Sequence, residues 1–512
     1  MVNTFMKKLL VLSILVLMAA ALPAAAQPPV FASYADAMTA GKTAYDDKKY
    51  DDSVIAYKAA ANLAKTDAEK AGALLETGNS QMKATRTVVT GTGKFADVKK
   101  VMGDPDSALV SYSAVTTIAG APAELRIKGH FGAASVYAGK PGSGDQQRAE
   151  LDKVVAFAES TVDDKFEAYY QRGRSTYSIL TSGYLKQRED LKKAVAVAGV
   201  SDEKKADALK LLAESHQNNT EALLALKFYD DIIRLPKAST PQKLNAHLKM
   251  ANYYGSQKDF TQVRAIAYAM SLLPGVKPEQ KSDALQMTAQ SYFLQNDIKN
   301  GEAEIAKISA LKDIDPKNRA AIYQENGDLL ARYQSYGRAR AEYEKALYAV
   351  IDPKSYIVGD LSNKIIGTWL AEKNYKKTHE AVKKFLALPD ADAYRKQAAS
   401  MTDAEAYLAE AKFADAAGIY TAVLADPKLS LFRTMKASMG MARAQYGLKN
   451  MPEAKKHYTA LLALIEKQDK IFDPRQMKMS PAEIGEFKAF SKEYKTEAKE
   501  KLAQIDAKPA GS

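Results

Sequence analysis

Ala222, Phe260, Ile298, Tyr336, Tyr375, Phe413 and Met451 each open the same pattern of residues, 38 positions apart with a single interval of 39. A fixed period of this size marks a solenoid, in which each unit buries its apolar face only against its neighbours. The unit from Ala320 to Pro353 shows the logic. Ile322, Tyr323, Gly327 and Leu330 fall along one face of a first helix. Gly327 has no side chain, so another helix can approach its backbone closely. A turn at Gln334-Ser335 leads to Tyr336, and Ala339, Tyr343 and Ala346 then recur at steps of three and four along a second helix. Pro353 forbids its continuation.

This arrangement resembles the tetratricopeptide repeat (TPR), with a small residue in the first helix, an aromatic at the turn, then small, aromatic and small residues in the second. Gly41, Tyr50, Ser53, Tyr57 and Ala60 carry it near the N-terminus; Ala404, Phe413, Ala416, Tyr420 and Pro427, then Ala442, Ala454 and Tyr458, carry it near the C-terminus. Ala213, Ala225, Tyr229 and Pro236, then Ala251, Phe260 and Pro274, are weaker matches. The interval exceeds the family's usual period of about 34 residues. The resemblance implies an all-α, TPR-like α-solenoid, a right-handed superhelix of antiparallel helix pairs. Roughly eleven pairs and a C-terminal capping helix are expected.

Residues 1–26 are expected to be a secretory signal: Lys7 and Lys8 precede an apolar run, and Ala24-Ala25-Ala26 follows Pro23. The run is too short for a confident membrane span. Repeats with an insertion at 84–102 are expected over 27–200, and regular repeats of about 38 residues over 201–470. A capping helix is expected at 480–505 and a disordered tail at 506–512. Helices in the less regular third are expected at 67–83, 104–118, 123–137, 146–160, 164–179 and 184–198. The insertion has Thr, Val and Gly in place of helical periodicity and reads as a loop on one face. Ser480-Pro481-Ala482-Glu483 is a helix start, and Ile484, Phe487, Tyr494, Leu502 and Ile505 form one stripe beyond it.

The chain has no cysteine, which excludes disulfides, thiol catalysis, cysteine metal sites and a lipidated N-terminal cysteine. Export without disulfides suits a bacterial periplasm or cell exterior. The net charge of +12 falls by two when Lys7 and Lys8 leave, and its lysines lie among acidic residues at helical spacing, as on a solvated surface. Nucleic acid is disfavoured, because no dense Arg/Lys stripe is present.

Catalytic patterns are missing from the sequence. His130, His216, His247, His379 and His457 are dispersed and form no short metal-ligand spacing. Gly91-Thr92-Gly93-Lys94 lacks the spacing of a phosphate loop. An α/α-toroid glycosidase would bring several tryptophans to its sugar cleft; this chain has one, Trp369, expected to be buried. The chain resembles less well the starch-binding helical-repeat proteins of outer membranes, which are usually anchored through a cysteine. No cofactor or metal is expected, and a non-catalytic scaffold is the reading.

In proteins of the TPR type the first helices line a concave groove. The resemblance places Tyr169, Arg172, Lys210, Gln217, Asn245, Asn252, Gln286, Gln290, Gln324, Asp328 and Asn363 on that face, with Asp207, Glu214, Asp283 and Asp360. Asn and Gln both donate and accept, so they can pair with the backbone of an extended peptide. Met38, Tyr45, Met401, Met439 and Tyr446 are expected to give the same face an apolar lining at its ends. The Lys/Asn/Arg set that grips a terminal carboxylate in chaperone-binding members is not reproduced. The expected partner is a protein or extended peptide, with a glycan or anionic envelope polymer as the alternative.

Overall fold

The computed structural model describes residues 29–90, 97–175, 183–217, 221–350, 356–389, 391–471 and 481–507. The expected signal at 1–26 and residues 508–512 lie outside them. Among the described residues there are 23 helices and one β-hairpin. The chain divides into two compact units, Met1–Tyr253 and Tyr254–Ser512.

The first unit begins with α1 (Tyr34–Asp46), α2 (Tyr50–Leu63) and α3 (Asp67–Gln81), followed by β1 (Thr85–Thr90) and β2 (Asp97–Met102). It continues through α4 (Pro105–Thr117), α5 (Ala123–Ala138), α6 (Gly144–Ala156), α7 (Val162–Arg174) and α8 (Gly183–Ala196). Then come α9 (Asp202–Gln217), α10 (Ala222–Arg234) and α11 (Thr240–Ser256), in which the unit boundary falls. The second unit holds α12 (Phe260–Ser271), α13 (Pro278–Leu294), α14 (Ile298–Ser309), α15 (Pro316–Arg332), α16 (Tyr336–Ala349) and α17 (Tyr356–Ala371). It ends with α18 (Tyr375–Leu386), α19 (Ala393–Ala409), α20 (Phe413–Leu424), α21 (Leu431–Gly447), α22 (Met451–Ile471) and α23 (Pro481–Asp506). Within each unit the helices pack mainly on their sequence neighbours, as a TPR-like α-solenoid requires.

The 38-residue period becomes a packing register in the second unit. Every second helix buries three positions at steps of four and three: Val263, Ala267 and Met270 in α12; Ala339, Tyr343 and Ala346 in α16; Ala416, Tyr420 and Val423 in α20. Gly327 is needed because the Tyr343 ring lies against it: a β-carbon there would sit 2.4 Å from the ring. In the preceding pair the arrangement inverts. The second helix carries Ile305, the aromatic Phe293 comes from the first helix, and Gly301 leaves room for it at 2.6 Å.

The turn inside seven of the pairs is equally uniform. Lys48, Lys258, Asn296, Gln334, Lys373, Ala411 and Lys449 all adopt φ between 58° and 64°. Each ends a first helix as a left-handed cap. At Lys258, for instance, the Lys258 N–H donates to Gly255 O and the Asp259 N–H to Tyr254 O. Asp259, Asp297 and Asn374 then cap the next helix with their side chains. A three-residue connection thus closes one helix and starts the other. None of these seven residues is glycine, so each turn carries a left-handed cost of about 1–2 kcal/mol that its paired hydrogen bonds offset.

Two features differ from expectation or refine it. The insertion is a β-hairpin, not a loop: β1 and β2 pair antiparallel from Thr85↔Met102 to Thr90↔Asp97, between the two helices of one pair. Thr and Val, stiff at χ1, favour the strand there. Its root is tied to α3 by the Asp104 N–H donating to Gln81 O (2.7 Å) and is closed by the Gly103 N–H donating to Ala84 O (2.6 Å). At the other end, α23 packs as the capping helix, with Tyr494 and Ala498 buried among Met435, Met439, Tyr458 and Leu461. Glu497 accepts from Arg443 there at 2.8 Å, and that bond holds its carboxyl below the usual range.

Candidate functional site

The first helices bring many of the expected face residues together, and they spend several of them on one another. In the second unit Gln286 of α13 donates to Asn326 Oδ1 of α15 at 3.2 Å and to Glu325 at 3.3 Å. Asn326, fully buried, passes the chain on to Glu342 of α16, whose carboxylate also accepts from Ser309 and Lys345. Asp328 accepts from the Tyr343 hydroxyl (2.8 Å) and from Lys364 of α17 (2.5 Å). Burial first, and this acceptor second, push the Tyr343 phenol up. Asn363 donates to Gly359 O and to Arg395 O of α19, both at 3.1 Å, while Arg395 grips Asp360 through two bonds. Gln286, Asp328, Asp360 and Asn363 therefore tie successive first helices to each other.

The same holds in the first unit. Asp207 accepts from Gln242 of α11 at 2.7 Å, Gln217 accepts weakly from the Tyr229 hydroxyl at 3.4 Å, and Lys210 lies 3.9 Å from Glu214. Arg172 is a correction. It does not face an open groove but is buried, with its guanidinium over the Tyr169 ring and paired with Asp152 of α6 and Asp190 of α8. An arginine at helical spacing reads as solvent-facing until the carboxylate from another helix is known.

Asn245, Asn252, Gln290 and Gln324 make no side-chain hydrogen bond to another described residue. Asn252 and Gln290 are exposed, Asn245 and Gln324 half-buried. Two turns before Gln290 on α13 the surface is acidic: burial, then Glu325 and Glu279, raise the Asp283 carboxyl above its ordinary value.

The expected apolar lining is also corrected. Met401 and Met439 are buried in the cores between helices, Met439 completely. Met38 packs beside the α1–α3 core, and the Tyr446 hydroxyl donates to Gln504 of α23. Tyr45 lies edge-on to Tyr50 under the Lys83 ammonium. Trp369 is half-buried beneath the Arg340 guanidinium at 3.4 Å.

One exposed feature carried a signal that the sequence reading passed over. Tyr356, Tyr394 and Phe432 open three successive first helices at the repeat interval and remain well exposed. Arg395 stacks on Tyr356 at 5.1 Å and Arg433 on Tyr394 at 3.3 Å. Arg433, its pKa lowered by burial, donates to the neutral oxygens Tyr394 O and Gln397 Oε1.

Three of the histidines meet carboxylates beyond their own helices. His130 pairs with Glu150, His216 with Glu221, and His379 of α18 lies between Asp403 of α19 (2.7 Å) and Glu410 at its C-cap (3.0 Å), with its ring stacked on Tyr407. Burial opposes charge on His379, but the two carboxylate bonds outweigh it and raise its pKa; Asp403 is itself pushed up by burial. Among the described residues no group of three or more His, Asp or Glu side chains is placed to hold a metal ion. No described helix is long and apolar enough to cross a membrane.

Among solved structures the chain is similar to pilF of Pseudomonas aeruginosa, at 16% identity and a TM-score of 0.28 over 46% of this chain and 96% of that one. It is similar also to the C-terminal part of a TPR repeat-containing protein from Cytophaga hutchinsonii, at 14% identity and a TM-score of 0.34 over 52% and 97% of the two chains. The P58(IPK) TPR domain gives 14% identity and a TM-score of 0.24 over 68% and 94%. No protein-family model and no curated relative matches. The repeat register and turn geometry define the class, a TPR-like α-solenoid.

Proposed function

We propose that the protein is a non-catalytic adaptor of the bacterial cell envelope, exported by its N-terminal signal, which binds a protein or extended peptide along the first-helix face. The observation that carries this reading is the division of labour among the amides. Gln286 of α13 and Asn363 of α17 hold neighbouring first helices in place, whereas Gln290 of α13 and Gln324 of α15 keep their donors and acceptors for a partner. Fixed spacing plus unspent amides suits backbone capture with little sequence demand.

An anionic polymer fits this part of the face less well, because Asp283, Glu279 and Glu325 would repel it. A partner segment with lysine or arginine suits it better. The test is in-cell photocrosslinking from Gln290, with Glu344, exposed on α16, as the control. A discrete polypeptide adduct from Gln290 alone is expected. No adduct, or equal adducts from both positions, would remove the first-helix face as the binding surface.

A further inference from the structure

We propose a second docking site, independent of the first-helix face: the outer edge of β1 takes an extended segment of another polypeptide as a third strand. The hairpin is a two-stranded sheet, so among the described residues each strand has an edge with no strand partner. The Gly103 N–H donates to Ala84 O, which makes Ala84 and Gly103 a hydrogen-bonded pair. Antiparallel ladders alternate, so with the observed register the backbone groups of residues 85, 87 and 89 in β1 and of 98, 100 and 102 in β2 point outward.

The two edges are not equivalent. β1 reads Thr-Arg-Thr-Val-Val-Thr, five of its six residues β-branched and none acidic or proline. β2 carries Asp97, Lys99 and Lys100, the kind of charge by which edge strands resist pairing. A strand with high β propensity and one charge, left on an edge, is an unguarded template. A two-stranded ribbon is also marginal by itself in water, and a third strand would consolidate it.

The edge chemistry selects the partner class. Alternating N–H and C=O groups at strand spacing are matched by another extended main chain, and not by a glycan or a nucleic acid. At the start of β1 the added strand reaches a cavity of about 620 Å³ between the hairpin root and the α1–α2 turn, lined by Lys48, Tyr50, Asp52, Thr85 and Met102 among others. Met102 is 68% exposed there and, with Tyr50, gives an apolar wall for one anchoring side chain, with charged groups at the rim. Strand addition supplies affinity and the cavity supplies selectivity.

The test uses the full chain without its leader and a displayed random library of peptides about twelve residues long. It is panned on the wild type, and the enriched consensus is titrated as a synthetic peptide. Thr87→Pro removes an outward N–H from β1 and leaves the β1–β2 ladder bonds in place; Lys100→Pro does the same on β2. Enrichment of β-branched sequences with an apolar anchor is expected, with affinity falling by about tenfold or more in Thr87→Pro and severalfold in Met102→Ser, and little changed in Lys100→Pro. No enrichment, or equal losses in the two proline variants, overturns the proposal. Sedimentation of the wild type completes the test: dimers that vanish in Thr87→Pro would make a second copy the occupant, and that too overturns it.

Discussion

The unit Tyr254–Ser512 and the unit Met1–Tyr253 stack similar helix pairs by different means. The later unit repeats one solution: three buried positions per second helix, a small residue against an aromatic, and the same left-handed turn. The earlier unit interrupts its pairs with the hairpin and joins α6, α7 and α8 through buried charge. Asp190, 1% exposed, lies 2.5 Å from Arg148 and 2.8 Å from Arg172. Arg188 pairs nearby with Glu221, and burial, then Arg188, holds the His216 pKa down in spite of that carboxylate. The later unit adds its polar links to a strict apolar register, whereas around α6–α8 that register lapses and arginines from two helices converge on one buried carboxylate. Such links are specific and fail badly when one member is lost.

Four experiments test that contrast. The largest effect is expected from Asp190→Ala, which leaves two guanidinium groups in the interior without their shared anion and should cost about 3–5 kcal/mol. Hydrogen exchange should show the loss concentrated in α6–α8, and an even loss across both units would contradict the separate role of the ionic cluster. Next, Gly327→Ala places a methyl into the Tyr343 ring and should cost about 1–3 kcal/mol, read as earlier urea unfolding of the second unit. A smaller effect of opposite sign is expected at the turn. Ala411→Gly relieves a left-handed alanine and should stabilise by about 1 kcal/mol, whereas Gly at the helical Ala409 should destabilise.

The smallest effect is the pH dependence of the His379 clamp. Its folded pKa is raised, so its contribution is complete below the unfolded value near 6.5 and fades as pH rises through the folded one. The thermal midpoint of the wild type relative to His379→Gln should therefore narrow from pH 6 to pH 9. A gap that stays constant or widens would show that the imidazolium is not what joins α18 to α19.

Much of the fold was legible because its causes are local. Gly327 and Tyr343 each fall on the apolar face of their own helix within one repeat, and Ser480-Pro481 announced a helix that begins at Pro481. The face residues were harder. Gln286 and Gln290 lie four apart on one helix and are chemically identical, yet only Gln286 meets Asn326, from 40 residues further on. Met401 and Met439 recur at the repeat interval like a lining, but their turn of helix points into the core. The hairpin was seen as an absence of helical periodicity, because pairing between Thr85 and Met102 leaves no mark on either segment alone.

Local preferences were enough to dictate the period, the paired helices, the turn before Tyr336 and the final cap, since each follows from steric and capping preferences within a few residues. Tertiary structure decided which polar groups tie one repeat to the next and which stay unspent, that Arg172 is interior, and that one insertion becomes a sheet with an open edge. Those outcomes depend on partners brought close in space from distant parts of the chain, and the energy of a hydrogen bond or ion pair exists only once both members are in place.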